Sequence, residues 1–513
     1  MCFRRSVIGS AGGIEQEGLG GDGLCLFLSE FWRAPSVPVP FRCRFGQVRS
    51  ASFLEGSIVT IRRTCFCLLP WLIGVLFATV PSTFLWGQVA GVYVDTEGVL
   101  REKVSEQSSG KLQSQRRRSG RPAWEKNSGK SSALRKVSLV RLAAALEQVV
   151  STGQTIPDEM RNLAGLLGIE YLFVYPETGD VVIAGAAEDW GTDAVGRVVG
   201  TKTGRPVILL DDLVVALRAF APDSEATVVG CSFEPTSEGL ARVRDVVSQV
   251  KAVRRDRGLM SSLIEKLRSA QRMHEIRVFG VPADTHLALV MVEADYRLKR
   301  IGIALEPAPV PRFESYLDFA VRGRSRGGEG NLFNRWWFVP EYETIARSAE
   351  GNAYQLKGQR LRVLTEMDYL DATGQRTASG KSDRASLRYA EHFTKRYSEI
   401  AAAVPIYASL ANVVDLLVVA ALLQRENLPA RIGAEIDALV STEHNLVAHL
   451  NVPRHVEPLI NYRFKRRGVV ISVGGGVVLN MNDAIRNTSV PKGWLETSQQ
   501  NAQAKTDARW WWD

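Results

Sequence analysis

Apolar positions along residues 138–489 alternate between a spacing near 3.6 and a spacing of two, which predicts helices alternating with strands. "SLVRLAAALEQVV" places apolar residues at helical spacing behind Ser138, a good N-cap, and Gly153 ends the run. Pro157 suits the first turn of the next helix, "PDEMRNLAGLL". "IEYLFVYPETGDVVIAG" predicts a hairpin, because two β-rich runs flank Pro176, Glu177, Thr178 and Gly179. "RPVILL" predicts a strand, Asp211 or Asp212 caps the helix "LVVALRAF", and "ATVVGCSF" predicts another strand. Thr236 and Ser237 open a helix that runs to Val250, and a second follows over 259–273. "EIRVFGV" returns to strand, and Asp284 or Thr285 caps "HLALVMVEADYRLKRIGIAL". Together these elements predict an α/β or α+β domain over 138–308, a mixed sheet with flanking helices. The hairpin means that the sheet is not purely parallel.

Three prolines in "EPAPVPR" mark a boundary, and "RGRSRGGEGN" a flexible loop, so residues 309–334 read as a Pro/Gly-rich connection. A second α+β region is expected over 335–489. It opens with β structure from "NRWWFVPEY" onward, with a turn at Glu350, Gly351 and Asn352. Helices follow over 384–404 and 407–424, separated by Pro405, and then the strands "LINYRF" and "GVVISVGGGVVLN". Asn412 and Asp415 inside the second helix favour a packed core helix over a membrane span. Residues 490–513 read as a polar tail ending in three tryptophans. No internal repeat interrupts this order.

Upstream of residue 138 the pattern changes. "VYVDTEGVL" predicts a short hairpin over 91–100. Residues 101–136 are polar, rich in Ser and Gly, and basic, and predict a disordered linker with little to bury. Before them, "RRTCFCLLPWLIGVLFATV" joins Arg62 and Arg63 to a short apolar run that Pro81 breaks. A basic start, an apolar stretch too short to span comfortably and small residues at Gly87 and Ala90 are the marks of a secretory signal. The expectation is a signal peptide over 58–90, cleaved near 87–90. Residues 1–57 contain no Lys, His, Asn, Thr or Tyr and no sustained period. They are expected to be a mis-assigned start or a disordered leader.

Composition agrees with a globular exported chain. Hydrophobic content of 45% and charged content of 23% are those of a packed protein. The net charge of +9 suggests nucleic acid until it is located. Eleven of the 64 Lys and Arg, but only three of the 55 Asp and Glu, fall within 101–136, so the remainder is nearly balanced. A folded part without basic excess is not expected to track phosphates. The basic run, with Arg116, Arg117 and Arg118, could instead tether the chain to anionic envelope polymer or lipid headgroups. Five of the six cysteines lie at or before Cys67, leaving Cys231 alone in an apolar run, where it reads as a small buried hydrophobe rather than a nucleophile.

Several stretches carry candidate chemistry. "GRVVGTKT" fails as a phosphate loop on glycine spacing and on Thr201 in the place of lysine. "SVGGGVV" lacks the spaced glycines of a dinucleotide site, so a bulge, turn or close packing is expected. Glu443, His444, His449 and His455 gather imidazoles and a carboxylate, the ligands zinc prefers. His444 and His449, however, would stand about 140° apart on a helix. In "VEADYRLKR", Glu293 pairs with Arg297 on a salt-bridged exposed face, while Asp295 and Arg297 could equally line a cleft. In "RWWFVPEY", Trp336 and Trp337 point to opposite faces of a strand, one to the core. The other, beside Arg335 and Tyr342, is a candidate platform for carbohydrate or peptide. Gly-x-Ser-x-Gly, His-Glu-x-x-His, Cys-x-x-Cys and calcium-loop patterns are absent from the sequence.

The runs "MRNLAGLLGIEYLFVYPETGDVVIAGAAEDW", "GRPVILLDDLVVALRAF", "VEADYRLKRIGIAL", "RWWFVPEYE" and "RGVVISVGGGV" together resemble an uncharacterised exported family typical of planctomycete bacteria, defined only as a domain of unknown function. The resemblance covers residues 138–480. It implies export and a single long unit, and it carries across no activity, cofactor or catalytic residue.

The expectation is therefore an exported protein, periplasmic or extracellular, and no longer integral to a membrane once cleaved. It would be a non-catalytic binding or structural component of the cell envelope, without cofactor. Envelope polymer, carbohydrate or peptide would be its partner, and nucleic acid would not. The alternative is an exported hydrolase, zinc-dependent, using His444, His449 and His455.

Overall fold

The structure is a computed structural model that describes residues 92–94, 99–102 and 131–513, apart from 194, 222–223, 225, 250–256, 323–331, 372, 374, 452, 465–467, 487, 492 and 505–508. The expected leader, the signal segment at 58–90 and most of the basic linker lie outside the described residues.

The smaller of two main sheets has β2 (Tyr171–Tyr175) and β3 (Asp180–Ala187) at its centre, with β1 (Ser132–Ser138) beside β3. The hairpin forms as expected: Tyr175 pairs with Asp180 and Gly179 takes φ +62° in the turn. Alternation then sorts the side chains. Leu172, Val174, Val181 and Ile183 face the main core, while Phe173, Tyr175, Val182 and Ala184 face Leu495 and Ala502. Helix α1 (Leu139–Ser151) packs on β3 and is capped by Ser138, whose hydroxyl accepts from the Arg141 amide at 3.0 Å.

β1 begins inside the expected linker, whose last residues are therefore structured. Trp511–Trp512 pairs with Val137 and Lys136, so the end of the expected polar tail is a strand as well. Charge hides this strand in the sequence: Arg135 and Lys136 are buried along with Val137 and Ser138.

Among the described residues the larger sheet has ten strands. From β5 (His274–Phe279) it runs through β4 (Val228–Glu234), β10 (Gly468–Asn480), β6 (Leu332–Glu341) and β7 (Arg360–Leu370) to β8 (Arg376–Lys381) at the edge. β9 (Ile460–Phe464) also pairs with β10, and His455–Val456, Val99–Glu102 and Val92–Val94 continue past β5. β6 and β10 run parallel, whereas β4 and β10 run antiparallel, so the sheet is mixed, as expected.

Helices fill the space on one side of this sheet. α2 (Leu210–Ala219), α5 (His286–Gly302), α7 (Arg384–Lys395) and α8 (Pro405–Arg425) carry apolar faces into one cluster, which joins Ile183 and Val174 to Phe233, Trp336, Val363 and Val477. α5 lies on β4 and β10, α7 on β7, and α8 on α5 and α2. By length and composition α8 could cross a membrane, yet it is buried on nearly every side. Its polar residues are matched: Asn412 donates to the Pro206 carbonyl at 3.3 Å, and Asp415 accepts from Tyr342 at 2.8 Å and Arg360 at 3.2 Å. Along the chain, α3 (Ser237–Gln249) follows β4, α4 (Arg257–Gln271) precedes β5, and α6 (Tyr316–Arg322) follows α5.

The regions 138–308 and 335–489 do not separate into two domains. β4 and β5 share a sheet with β6–β10, and β2 pairs with Ala353–Gln355. Prolines at 307–311 break regular structure locally, but they do not dictate which strands later pair. "RPVILL" is not a strand: Val207 and Ile208 donate to Val198 and Leu166 from an extended lead-in to α2.

The glycines of "SVGGGVV" serve close packing. At Gly475 φ is +124°, and an added Cβ would lie 1.9 Å from the Trp336 carbonyl. At Gly476 it would lie 1.9 Å from the Cys231 carbonyl. No side chain fits where three strands meet so closely.

Candidate functional site: buried ion pairs and an open mixed-charge cleft

α5 is the most charged element of the core. Thr285 caps it, accepting from the Ala288 amide at 3.3 Å. Apolar residues cover most of its surface, yet Glu293, Asp295 and Lys299 are fully buried with them. Glu293 accepts from Arg197 at 3.0 Å and stands 3.6 Å from Arg297, which in turn donates to Glu306. Lys299 donates to Asp295 and its ammonium lies 4.7 Å from the Phe233 ring centre. The expected Glu293–Arg297 pair thus exists, but in the core rather than on an exposed face. Burial pushes the Glu293 carboxyl up, against the pull of Arg197 and Arg297. Burial likewise raises Asp295 and lowers Lys299, each partly offset by the other. Both partners lean toward neutrality, as expected for a dry ion pair.

Arg335, Trp336 and Trp337 divide as alternation requires. Trp336 is fully buried against Gly302 of α5, and its indole donates to the Ser386 hydroxyl at 3.1 Å. Trp337 is partly exposed on the other face, with the Arg335 guanidinium 5.4 Å from its ring centre. Arg335 is held by Glu234 at 3.8 Å and Asp368 at 3.5 Å, and Arg376 contacts the same two carboxylates. Asp295 and Arg297 belong to the helix side of the sheet, so the five candidate binding residues do not form one site. Tyr342, expected beside the exposed tryptophan, binds Asp415 instead.

The three candidate metal ligands also part company. His444 bonds Glu147 at 2.8 Å, His449 bonds Asp284 at 2.6 Å, and His455 sits in a strand opposite Glu275. The loop between them is pinned: Ala448 donates to Asp211 at 3.0 Å and Leu450 to the Asp284 carbonyl at 2.8 Å. No group of three His, Cys, Asp or Glu among the described residues is arranged to hold a metal ion. Asp211 and Asp212, expected as caps, lie within the first turn of α2. Asp212 binds His286 at 2.9 Å, a pair the sequence reading missed. Burial lowers the His286 pKa, but Asp212 and Asp211 outweigh it and the net shift is upward. Cys231 is fully buried, and desolvation pushes its thiol far up, which removes it as a nucleophile.

One open cleft of about 510 Å³ is lined by Thr236, Glu238, Arg242, Arg272, Met273, Glu275 and His455. It forms where β4 leaves the sheet into α3 and α4 returns to β5. Thr236 opens α3 by accepting from the Gly239 amide at 3.1 Å. α4 ends at Gln271, and Arg272 takes φ +58° before β5 begins. Of these residues the sequence reading singled out only His455 as a ligand. The others carry no motif, because cap residues and helix-end arginines look alike in every helix.

Residues 231–316 match the family described as a protein of unknown function, DUF1598. The match runs from Cys231 in β4 through α3, α4, β5 and α5 to Tyr316, and it contains six of the seven cleft residues. No curated protein and no solved structure matches the chain.

Proposed function

We propose that this is an exported protein acting as a non-catalytic binding or structural component of the cell envelope, with the cleft between the start of α3 and the end of α4 as its ligand seat. One observation carries the binding role. The buried charges of α5, β7 and α8 are matched within the fold, whereas the cleft gathers charged side chains at the surface. Buried and matched charges hold structure, while solvent-facing unmatched ones are available to a partner. Export rests on the segment 62–80, and envelope polymer, carbohydrate or peptide are the partners that compartment offers. Fractionation with N-terminal sequencing of the native protein tests the first part. A mature start near residue 88 is expected, and a cytosolic, unprocessed chain refutes it. Ligand-dependent shifts in thermal unfolding test the second part.

The alternative hydrolase needs His444, His449 and His455 to converge on zinc. Glu147 and Asp284 hold two of them in different places. Stoichiometric zinc in the natively purified protein, lost on His449→Ala with the fold intact, would reverse this ranking.

A further inference from the structure

Opposite charges line the cleft without pairing with one another. Glu238 and Arg242 stand four residues apart on α3, the spacing at which Glu and Arg pair on a helix surface. Here Arg242 Nε donates to the Ala270 carbonyl of α4 at 2.8 Å, and no ion pair joins it to Glu238. On the opposite wall, Glu275 is three residues from Arg272 but is taken by Arg277 at 2.6 Å. Arg272 itself has left-handed backbone, a region that residues other than glycine rarely enter, and its side chain lines the cleft. Among the described residues neither Glu238 nor Arg272 has an ion-pair partner, and both are exposed. The cleft therefore presents two guanidiniums and one unpaired carboxylate. Among the described residues the lining holds no tryptophan, tyrosine or phenylalanine, and Met273 is the one apolar side chain. Sugar rings are commonly held by aromatic faces, so carbohydrate is disfavoured.

We propose that the cleft binds a zwitterion, a free amino acid or short peptide, with its carboxylate against Arg242 and Arg272 and its ammonium against Glu238. This rests on the binding role above and names its ligand class. Planar guanidiniums match a carboxylate in two-point geometry, and separated charges that need not be pulled apart favour a ligand bearing both signs.

The test is calorimetric titration of the full chain with alanine, alanyl-alanine, N-acetyl-alanyl-alanine and alanyl-alaninamide, with N-acetylglucosamine as a neutral sugar. Alanine or alanyl-alanine is expected to bind, and blocking either end of the dipeptide to weaken binding about ten-fold or more. Which of the two unblocked ligands binds tighter distinguishes an amino-acid from a peptide source. Glu238→Gln is expected to stop distinguishing the acetylated dipeptide from its parent. Arg272→Gln is expected to stop distinguishing the amide. Both replaced side chains are exposed, and unchanged melting temperatures show that the variants fold. Equal affinity for blocked and unblocked dipeptides overturns the proposal, as does discrimination that survives both substitutions. Sugar binding lost in Arg272→Gln overturns the zwitterion but leaves the binding role. No binding of any ligand up to about 10 mM, weaker than a millimolar-class site, overturns both.

Discussion

The Asp513 carboxylate should hold a buried charge in place. Arg135 is 0% exposed and donates to both Asp513 oxygens, at 2.8 and 2.9 Å, and to the Ala164 carbonyl at 2.6 Å. Its guanidinium also lies 4.2 Å from the Trp511 ring centre. Asp513→Asn keeps the shape and removes the charge. Stripping one partner from a fully buried pair costs about 3–5 kcal/mol. The Asp513 side chain is 43% exposed, so water shares in the pairing and the figure falls to about 2 kcal/mol. Urea unfolding followed by far-ultraviolet circular dichroism should show a lower midpoint at unchanged slope. The pH dependence supplies a second check. Burial pushes the Asp513 carboxyl up, but hydrogen bonds from Arg135 and Ser132 more than reverse this, leaving it below the usual range. A depressed carboxyl contributes stability above the unfolded pKa of about 3.9, and that contribution is lost as pH falls below it. The variant should lack this acid-side loss. An Asp513→Asn protein within about 0.5 kcal/mol of wild type at pH 7 would refute the reasoning, since that is the scatter of ordinary surface substitutions.

Gly475→Ala should prevent folding or cost more than about 4 kcal/mol, because the new Cβ would meet the Trp336 carbonyl at 1.9 Å in the middle of the sheet. Gly153→Ala, with φ +65° and open space around it, should cost about 1 kcal/mol in the same urea assay. Glu293→Gln removes the charge shared by Arg197 and Arg297, while Arg297 keeps Glu306 and both arginines reach solvent, so it should cost about 2 kcal/mol, read as a lower urea midpoint. His274 is fully enclosed, and burial, with Lys299 and Arg376 nearby, brings its pKa down to about 3. The unfolded imidazole takes up a proton below about pH 6.5 and the folded one does not, so stability should drop by about 2 kcal/mol between pH 6.5 and 5. His274→Leu should remove that drop, and an unchanged pH profile would contradict the assignment.

The hairpin at Gly179 and the caps at Ser138 and Thr285 were legible in the sequence, because each is set by interactions within a few residues. The division at 309–334 was not. Proline density reports a local break in hydrogen bonding, whereas the parallel pairing of β6 with β10 joins residues more than a hundred positions apart. Periodicity says that Trp336 and Trp337 differ in burial but not which one is inside. Gly302 and Gly475 decide that by leaving room for the Trp336 ring and its backbone. Clustering of His444, His449 and His455 along the chain suggested a centre, but chain proximity in a loop sets no common direction. Each imidazole took the nearest carboxylate or strand position instead. The cleft left little trace beyond His455 and a cap threonine, since its lining comes from four elements: α3, the end of α4, β5 and the His455–Val456 strand.

Two pairs with the same spacing show why burial, not sequence pattern, separates structural charge from available charge. Glu293 and Arg297 on α5 and Glu238 and Arg242 on α3 are both acid-to-arginine at i, i+4. Glu293 has no water around it, so its charge must find Arg197 and Arg297 or be given up to a proton. Glu238 is exposed and its solvation is already adequate, so Arg242 loses little by leaving it for the Ala270 carbonyl. The same local rule therefore yields a neutralised core in one helix and an open pair of opposite charges in the other. Ligand seats in this fold belong at the second kind of position, where solvent has allowed a pair to stay unmade and the backbone of a neighbouring helix fixes the separation.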